Sequence, residues 1–234
     1  MHITENEVSS LQKFKEVVSD LNQDDGVLIR FLRARDYNVN IAEQMLRSAV
    51  QWRKEMDLDN YSLKKWNFPT HFYSALEYRF FGRDYEGAPI SWLFIGTWAL
   101  KQMVENEDME QLRRYFYSIL EQGLQQTIDC NSPLTVVAEL EGLSYTQATH
   151  MSSLKFIYAL FQIFEQCYPE TLKSMLIINA PWIFPFCFNF IKGVMVQRTL
   201  AKVKIYRNKE EWHADFLKRF PRESIVPELQ PPTN

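Results

Sequence analysis

Glycine is scarce in this chain, with seven residues in 234. That scarcity speaks against Gly-rich loops built to cradle nucleotide phosphates, and no GxGxxG, GxSxG, HExxH or phosphate-loop pattern occurs. Cysteine is scarcer still. Cys130, Cys167 and Cys187 are odd in number and scattered, which suits reduced thiols better than a disulfide framework or a zinc site. The four histidines (His2, His71, His150 and His213) stand isolated, so neither a metal site nor a bound cofactor is expected. The net charge of −3 gives no support for a nucleic-acid partner. No basic-then-apolar leader opens the chain, so no signal peptide is expected.

What is abundant is bulky apolar filling: 46% of residues are hydrophobic and 15% aromatic. A chain of this length can bury a large core, as one big domain or two small ones. The first ~70 residues read as helical. "DDGVLIRFLRARDY" opens with an Asp24–Asp25 cap and sets Leu28, Phe31 and Leu32 on one face. "NIAEQMLRSAVQWRKEM" follows, with Asn40 as its cap and Met45, Leu46, Ala49 and Trp52 at helical spacing. From Pro89 strands and helices alternate. "ISWLFIG" (90–96), "LTVVAEL" (134–140), "MLIINA" (175–180) and "KVKIY" (202–206) read as buried strands. Helical patterns at 109–128 and 152–168 lie between them, and a last amphipathic helix spans 209–220. Connections of this length predict an α/β fold with a mainly parallel sheet. The Pro-rich, polar "PELQPPTN" reads as a linker or tail.

One segment departs from the amphipathic rule. "APWIFPFCFNFIKGVMV" (180–196) holds five aromatics within eleven positions, and its only charge is Lys192. Pro181 and Pro185 break it, and the about three turns that remain are too short to span a bilayer. A helix buried between the sheet and another element is one reading. Charge points to another, because acidic residues are absent from Thr171 to Lys209 while Lys173, Lys192, Arg198, Lys202, Lys204, Arg207 and Lys209 are all basic. An apolar helix bordered by cations suits a surface that meets anionic lipid. Glu139 and Glu141 are the nearest thing to a catalytic carboxylate pair, but two acids at a strand's end more often cap a turn, and an enzyme is not expected.

"DDGVLIRFLRARDYNVNIAEQMLRSAVQWRKEMDLD", "VVAELEGLS", "FEQCYPETLKSMLIINAPWIFPFCFNFIK" and "LAKVKIY…W…LKRFPRESIVPEL" resemble, in order, the blocks of the CRAL-TRIO lipid-binding proteins. The likeness looks nearest to the phosphatidylinositol transfer branch, of the animal supernatant-protein-factor and tocopherol-associated type. Some members of that branch continue into a Golgi-dynamics domain, which is not expected here. The resemblance implies an N-terminal helical region (1–73), an α/β lipid-binding domain (74–220) and a C-terminal extension or linker (221–234). In such a fold the sheet floors an apolar pocket, and a movable gate helix closes it.

By position, Arg35, Glu170, Thr199 and Lys202 stand at the family's inositol-headgroup contacts. Phe80, Ser91, Leu134 and Val136 stand where its choline site has tyrosines and small hydroxyl residues. Asp36 stands where some phosphatidylinositol carriers have lysine. The gate would be Phe184, Phe186, Phe188, Phe190, Ile191 and Val194, with Lys192, Arg198 and Lys204 facing the membrane. The implied protein is a cytoplasmic monomer that meets membranes transiently and carries phosphatidylinositol or another hydrophobic ligand. A carrier of a non-phospholipid lipophile (tocopherol, retinoid, isoprenoid or sterol precursor) and a lipid-sensing scaffold are the alternatives.

Overall fold

A computed structural model describes residues 4–58 and 66–230. His2, the end of the "EMDLD" segment and residues 231–234 of the expected extension lie outside these. The chain divides into two compact units, Met1–Trp66 with Ile163–Glu170, and Asn67–Gln162 with Thr171–Asn234.

The first unit is built on α1 (Glu5–Val17), α2 (Asp25–Arg33) and α3 (Val39–Glu55). Asp24 caps α2 by accepting the Val27 N–H at 2.8 Å. The cap of α3 is Asn38, not Asn40, since its side chain accepts the Ile41 N–H at 3.2 Å and the helix already runs from Val39. The apolar stripe reads as expected: Leu28, Phe31 and Leu32 of α2 and Met45, Leu46 and Ala49 of α3 are buried. α1 is tied down by Glu7, which accepts from Arg33 Nε at 2.7 Å, Arg33 Nη2 at 2.9 Å and Tyr37 Oη at 2.6 Å. Arg33 above all holds the Glu7 carboxyl far below the usual carboxylate range. Tyr168, from the returning 163–170 stretch, meets Trp52 of α3 edge-on, with ring centroids 6.2 Å apart.

The second unit carries α4 (Thr70–Ala75), β1 (Tyr78–Arg83), β2 (Pro89–Leu93), α5 (Leu100–Asn106), α6 (Met109–Asp129) and β3 (Leu134–Glu139). There follow α7 (Tyr145–Ala148), α8 (Met151–Cys167, counted with the first unit from Ile163), β4 (Leu172–Ile178), α9 (Phe184–Ile191), α10 (Gln197–Leu200), β5 (Val203–Ile205) and α11 (Lys209–Arg219). The five strands lie in chain order, with β1–β2 antiparallel and the other pairs parallel. Strands added in one direction by right-handed crossovers place all their crossover helices on one face. β1 is an addition to the four strands expected from sequence. "ISWLFIG" is strand only to Leu93, after which Ile95–Thr97 turns as a 3-10 helix. There Gly96 is required, because a Cβ would stand 2.0 Å from the Glu141 carbonyl oxygen.

The face opposite the crossovers is covered by α11 and the chain beyond it. Trp92, Val137, Leu176 and Ile178 of the sheet pack with Trp212, Phe216 and Phe220, then Ile225, Val226 and Leu229. Each such fully buried side chain contributes about 1.5–3 kcal/mol. The stretch from 221, read from sequence as a linker or extension, is therefore part of this core as far as Leu229. Among the described residues no helix is long and apolar enough to cross a membrane. Pro185 does not interrupt α9 but sits in its first turn, where a missing N–H leaves no bond unmade.

Candidate functional site

The crossover face of the sheet holds the site. Side chains alternate along β3 and β4, so Ala138, Met175 and Ile177 point away from the α11 core. Leu154, Ile157 and Phe161 of α8 stand beside them. α9 closes the space with Phe184, Cys187, Phe188 and Ile191, and Met195 follows just past its end. The result is an apolar cavity of about 140 Å³. Two polar side chains, Gln147 and Ser153, belong to its wall. Gln147 is tied: its Nε2 donates to the Trp98 carbonyl at 2.8 Å, and its Oε1 accepts from Ser144 N at 3.0 Å and Ser144 Oγ at 2.8 Å. Cys187 donates to the Phe184 carbonyl at 3.1 Å, and burial pushes its thiol up.

α9 divides its aromatics between two surroundings. Phe184 is buried and stacks on Phe188, with ring centroids 5.4 Å apart, while Phe190 meets Tyr158 edge-on at 5.7 Å. Phe186 is 48% exposed. Just before the helix Trp182 is 79% exposed and stacks on the exposed Tyr145 of α7, with centroids 6.2 Å apart. Tyr145 carries no signal in the sequence that links it to Trp182. Val194 is half-buried.

Phe80, Ser91 and Val136 form one row across β1, β2 and β3, and the row continues to Met175. Only Met175 of that row reaches the cavity. Phe80 and Leu134 turn to α6 instead, where a Cβ on Gly123 would meet Leu134 at 3.5 Å and Phe80 at 3.7 Å. Ser91 is buried.

Thr199 and Lys202 come together on one turn in the second unit. Lys202 N donates to the Thr199 carbonyl at 3.0 Å, and Lys202 Nζ donates to the Leu172 carbonyl at 2.7 Å. Arg35 and Glu170 belong to the first unit. Arg35 donates to the Ala34 carbonyl at 2.8 Å, and Glu170 adopts a left-handed backbone, φ 57°. Asp36 is exposed, also with positive φ.

The basic stretch is less uniform than its sequence. Lys192 and Arg198 are exposed. Lys204 lies 3.4 Å from Asp215 Oδ2 and over the Tyr206 ring, and Lys173 is paired with Asp84 at 2.6 Å and Glu86 at 2.7 Å. Glu139 caps a turn, accepting the Glu141 N–H at 2.7 Å and an Asn179 Nδ2–H at 2.9 Å. Burial pushes its carboxyl up. Trp212 Nε1 donates to the other end of Asn179 at 2.9 Å, so Glu139 is engaged on the α11 side of the sheet.

The CRAL/TRIO domain model matches residues 78–230, and the CRAL/TRIO N-terminal domain model matches residues 5–48. The chain belongs to the CRAL/TRIO family, whose members bind hydrophobic lipid ligands. It is similar to Protein real-time of Drosophila pseudoobscura pseudoobscura, 28% identical over 96% of this chain and 35% of that protein. A CRAL-TRIO domain-containing protein of Caenorhabditis elegans is 27% identical over 88% of this chain and 29% of its own length. The chain thus spans about a third of the length of these relatives. The crystal structure of Sfh5 superposes with a TM-score of 0.71 at 18% identity, covering 90% of this chain and 84% of that one, which shows the shared fold.

Proposed function

We propose that this chain sequesters a single lipid in the cavity beneath α9 and exchanges it, chemically unchanged, at membrane surfaces. The observation that carries the reading is the cavity itself: an apolar space between the crossover face of the sheet and a helix that shows Phe186 to solvent, with the exposed Trp182 just before it. At about 140 Å³ it falls below the roughly 300–1,000 Å³ of ligand pockets, so admission of a lipid requires α9 or α8 to move. Its opening and closing is the gating step.

Two ligand classes have support. Thr199 and Lys202, on one turn of the second unit, offer a hydroxyl and a cation to a phosphatidylinositol headgroup, in line with the transfer branch the sequence resembles. The second class is a smaller lipophile without a charged head. The apolar wall and modest volume of the cavity favour it, as does the exposed Asp36 beside Arg35.

The test is transfer of labelled lipid between vesicles. Ala148 lines the cavity and is buried, so Ala148→Leu, which adds three carbon atoms there, should abolish uptake of either class while leaving the fold intact. Lys202→Ala should reduce phosphatidylinositol transfer by about 10- to 150-fold and spare an uncharged lipophile. Recovery of a chemically altered lipid, or undiminished uptake by a folded Ala148→Leu protein, would refute the proposal.

A further inference from the structure

The two edges of the sheet are treated differently. Along β1 the chain past α11 closes in: Arg83 N–H donates to Ser224 Oγ at 3.2 Å, and a Cβ on Gly82 would stand 2.5 Å from the Ser224 carbonyl oxygen. β5, at the other end of the strand order, pairs with β4 alone. The Lys202 carbonyl accepts from Met175 N at 2.9 Å, and Tyr206 N donates to the Ile177 carbonyl at 2.8 Å. Backbone groups alternate between the two sides of a strand, so the N–H and C=O of Val203 and Ile205 point away from the sheet. Among the described residues these groups have no hydrogen-bond partner. The next outward N–H, of Arg207, is taken by Glu211 Oε2 at 3.2 Å, and the open edge ends there.

A groove of about 520 Å³ lies beside that edge, within the roughly 300–1,000 Å³ of ligand sites. Trp182, Pro185, Phe188 and the 41%-exposed Ile205 give it apolar walls, and Asn189 and the exposed Arg207 its polar groups. Lys192, also exposed, follows Pro185 and Asn189 at helical spacing and continues their face of α9. Val203 and Ile205 stand opposite Met175 and Ile177, so their side chains lie on the groove's face of the sheet and that of Lys204 on the other. Cations therefore border the open edge on both faces, in a stretch with no acidic residue from Thr171 to Lys209.

We infer that β5 and the groove form a docking surface for an extended, acidic segment of another protein, which adds a strand to the sheet. Its backbone completes the hydrogen bonds of Val203 and Ile205, every second side chain enters the groove, and its carboxylates meet Arg207, Lys192 and Lys204. Two other occupants fit less well. A bilayer has no row of donors and acceptors to offer, and an open strand edge does not enter hydrocarbon for that reason. A second copy of the chain would set the same cations against each other, and lysine on a short edge strand works against such pairing. Phe184 and Phe188 line both the groove and the cavity, so the docked segment rests against the cavity's cover.

The probe is a fluorescein-labelled peptide, acetyl-EDVEFEVDE-amide, which as a strand sets Val, Phe and Val on one face with acidic residues around them. Fluorescence anisotropy with the purified chain should show saturable binding that weakens as salt is added. N-methylation of the central Phe and of the Glu after it removes one donor on each side of the peptide, so one lost donor faces β5 whichever way the segment runs. That peptide should bind about 10-fold more weakly. Arg207→Glu should weaken the unmodified peptide about 10-fold or more. Ile205→Pro removes an outward N–H, at a place where an edge strand tolerates proline, and should weaken binding as N-methylation does. Should Ile205→Pro not fold, the N-methylated peptide and Arg207→Glu decide. Absence of saturable binding, or binding indifferent to N-methylation, overturns the inference. Displacement of such indifferent binding by phosphatidylserine vesicles would make this a lipid-contact face, and a dimer in sedimentation that Ile205→Pro dissolves would make it a contact between copies; either overturns it too.

Discussion

Trp182 and Phe186 give the membrane-docking reading of α9 a direct test. Trp182 is 79% exposed and Phe186 48%, so neither contributes much to the folded core. With roughly 250 Å² for a whole tryptophan and 200 Å² for a phenylalanine, these fractions leave about 200 Å² and about 100 Å² in water. At about 25 cal/mol per Å², complete transfer to lipid would release about 7 kcal/mol. Shallow insertion that removes half of this surface from water contributes about 3–4 kcal/mol, or two to three decades in vesicle affinity. The perturbation is the double substitution Trp182→Asp with Phe186→Asp. Co-sedimentation with phosphatidylcholine vesicles should fall by about 100-fold or more, and thermal melting should shift little, as for surface changes in general. Phe184→Asp is the contrasting variant: at 9% exposure it should lower the melting temperature by many degrees. A folded double variant that sediments with vesicles as the wild type does would refute the reasoning.

Charge and core give two further expectations. Replacing Lys192 with alanine should weaken binding to anionic vesicles by about 1 kcal/mol and leave neutral vesicles unaffected, with added salt mimicking the change. Lys204→Ala should do less, since its ammonium already faces Asp215 and Tyr206; equal losses at Lys192 and Lys204 would contradict this. Glu7→Gln should lower unfolding free energy at pH 7 by about 2–3 kcal/mol. The folded carboxyl is depressed, so its contribution is complete above the unfolded value near 4.3 and lost as pH falls toward the folded one. Denaturant melts between pH 7 and pH 2 should show wild type and variant converging in acid, and parallel curves would exclude the Arg33 pairing as the source.

Much of the fold was legible because apolar periodicity carries it. The faces of α2 and α3, strands β2 to β5 and the unusual character of α9 follow from which residues are apolar and how they repeat. β1 did not, since Tyr78–Arg83 mixes two arginines and a glycine with its aromatics and none of its residues is fully buried. An edge strand paired on one side needs no continuous apolar run. The C-terminal stretch misled for the opposite reason: prolines and charges around Ile225, Val226 and Leu229 hide three buried side chains. The cap of α3 shows a finer limit, as Asn38 and Asn40 both suit the role and hydrogen-bond geometry alone separates them. At the site, composition marked α9 as apolar but could not say which of its aromatics face the cavity and which face solvent. His150 and Ser153 have the spacing of a helix-start pair and meet at 2.8 Å, whereas Glu105 comes from a different helix and only folding brings its carboxylate to 3.4 Å from the His150 ring.

The cover of the sheet's second face sets an order of events during synthesis. Strands β2 to β4 are complete once Ile178 has been made, but the residues that shield Trp92, Val137 and Leu176 come from Trp212 to Leu229. A chain emerging from the ribosome therefore shows an uncovered apolar sheet while some fifty further residues are added, which takes several seconds at roughly 5–20 residues per second. During that interval the nascent sheet is a natural client for a chaperone that holds apolar surface, and ribosome stalling short of Leu229 would yield an aggregation-prone product rather than a smaller folded domain.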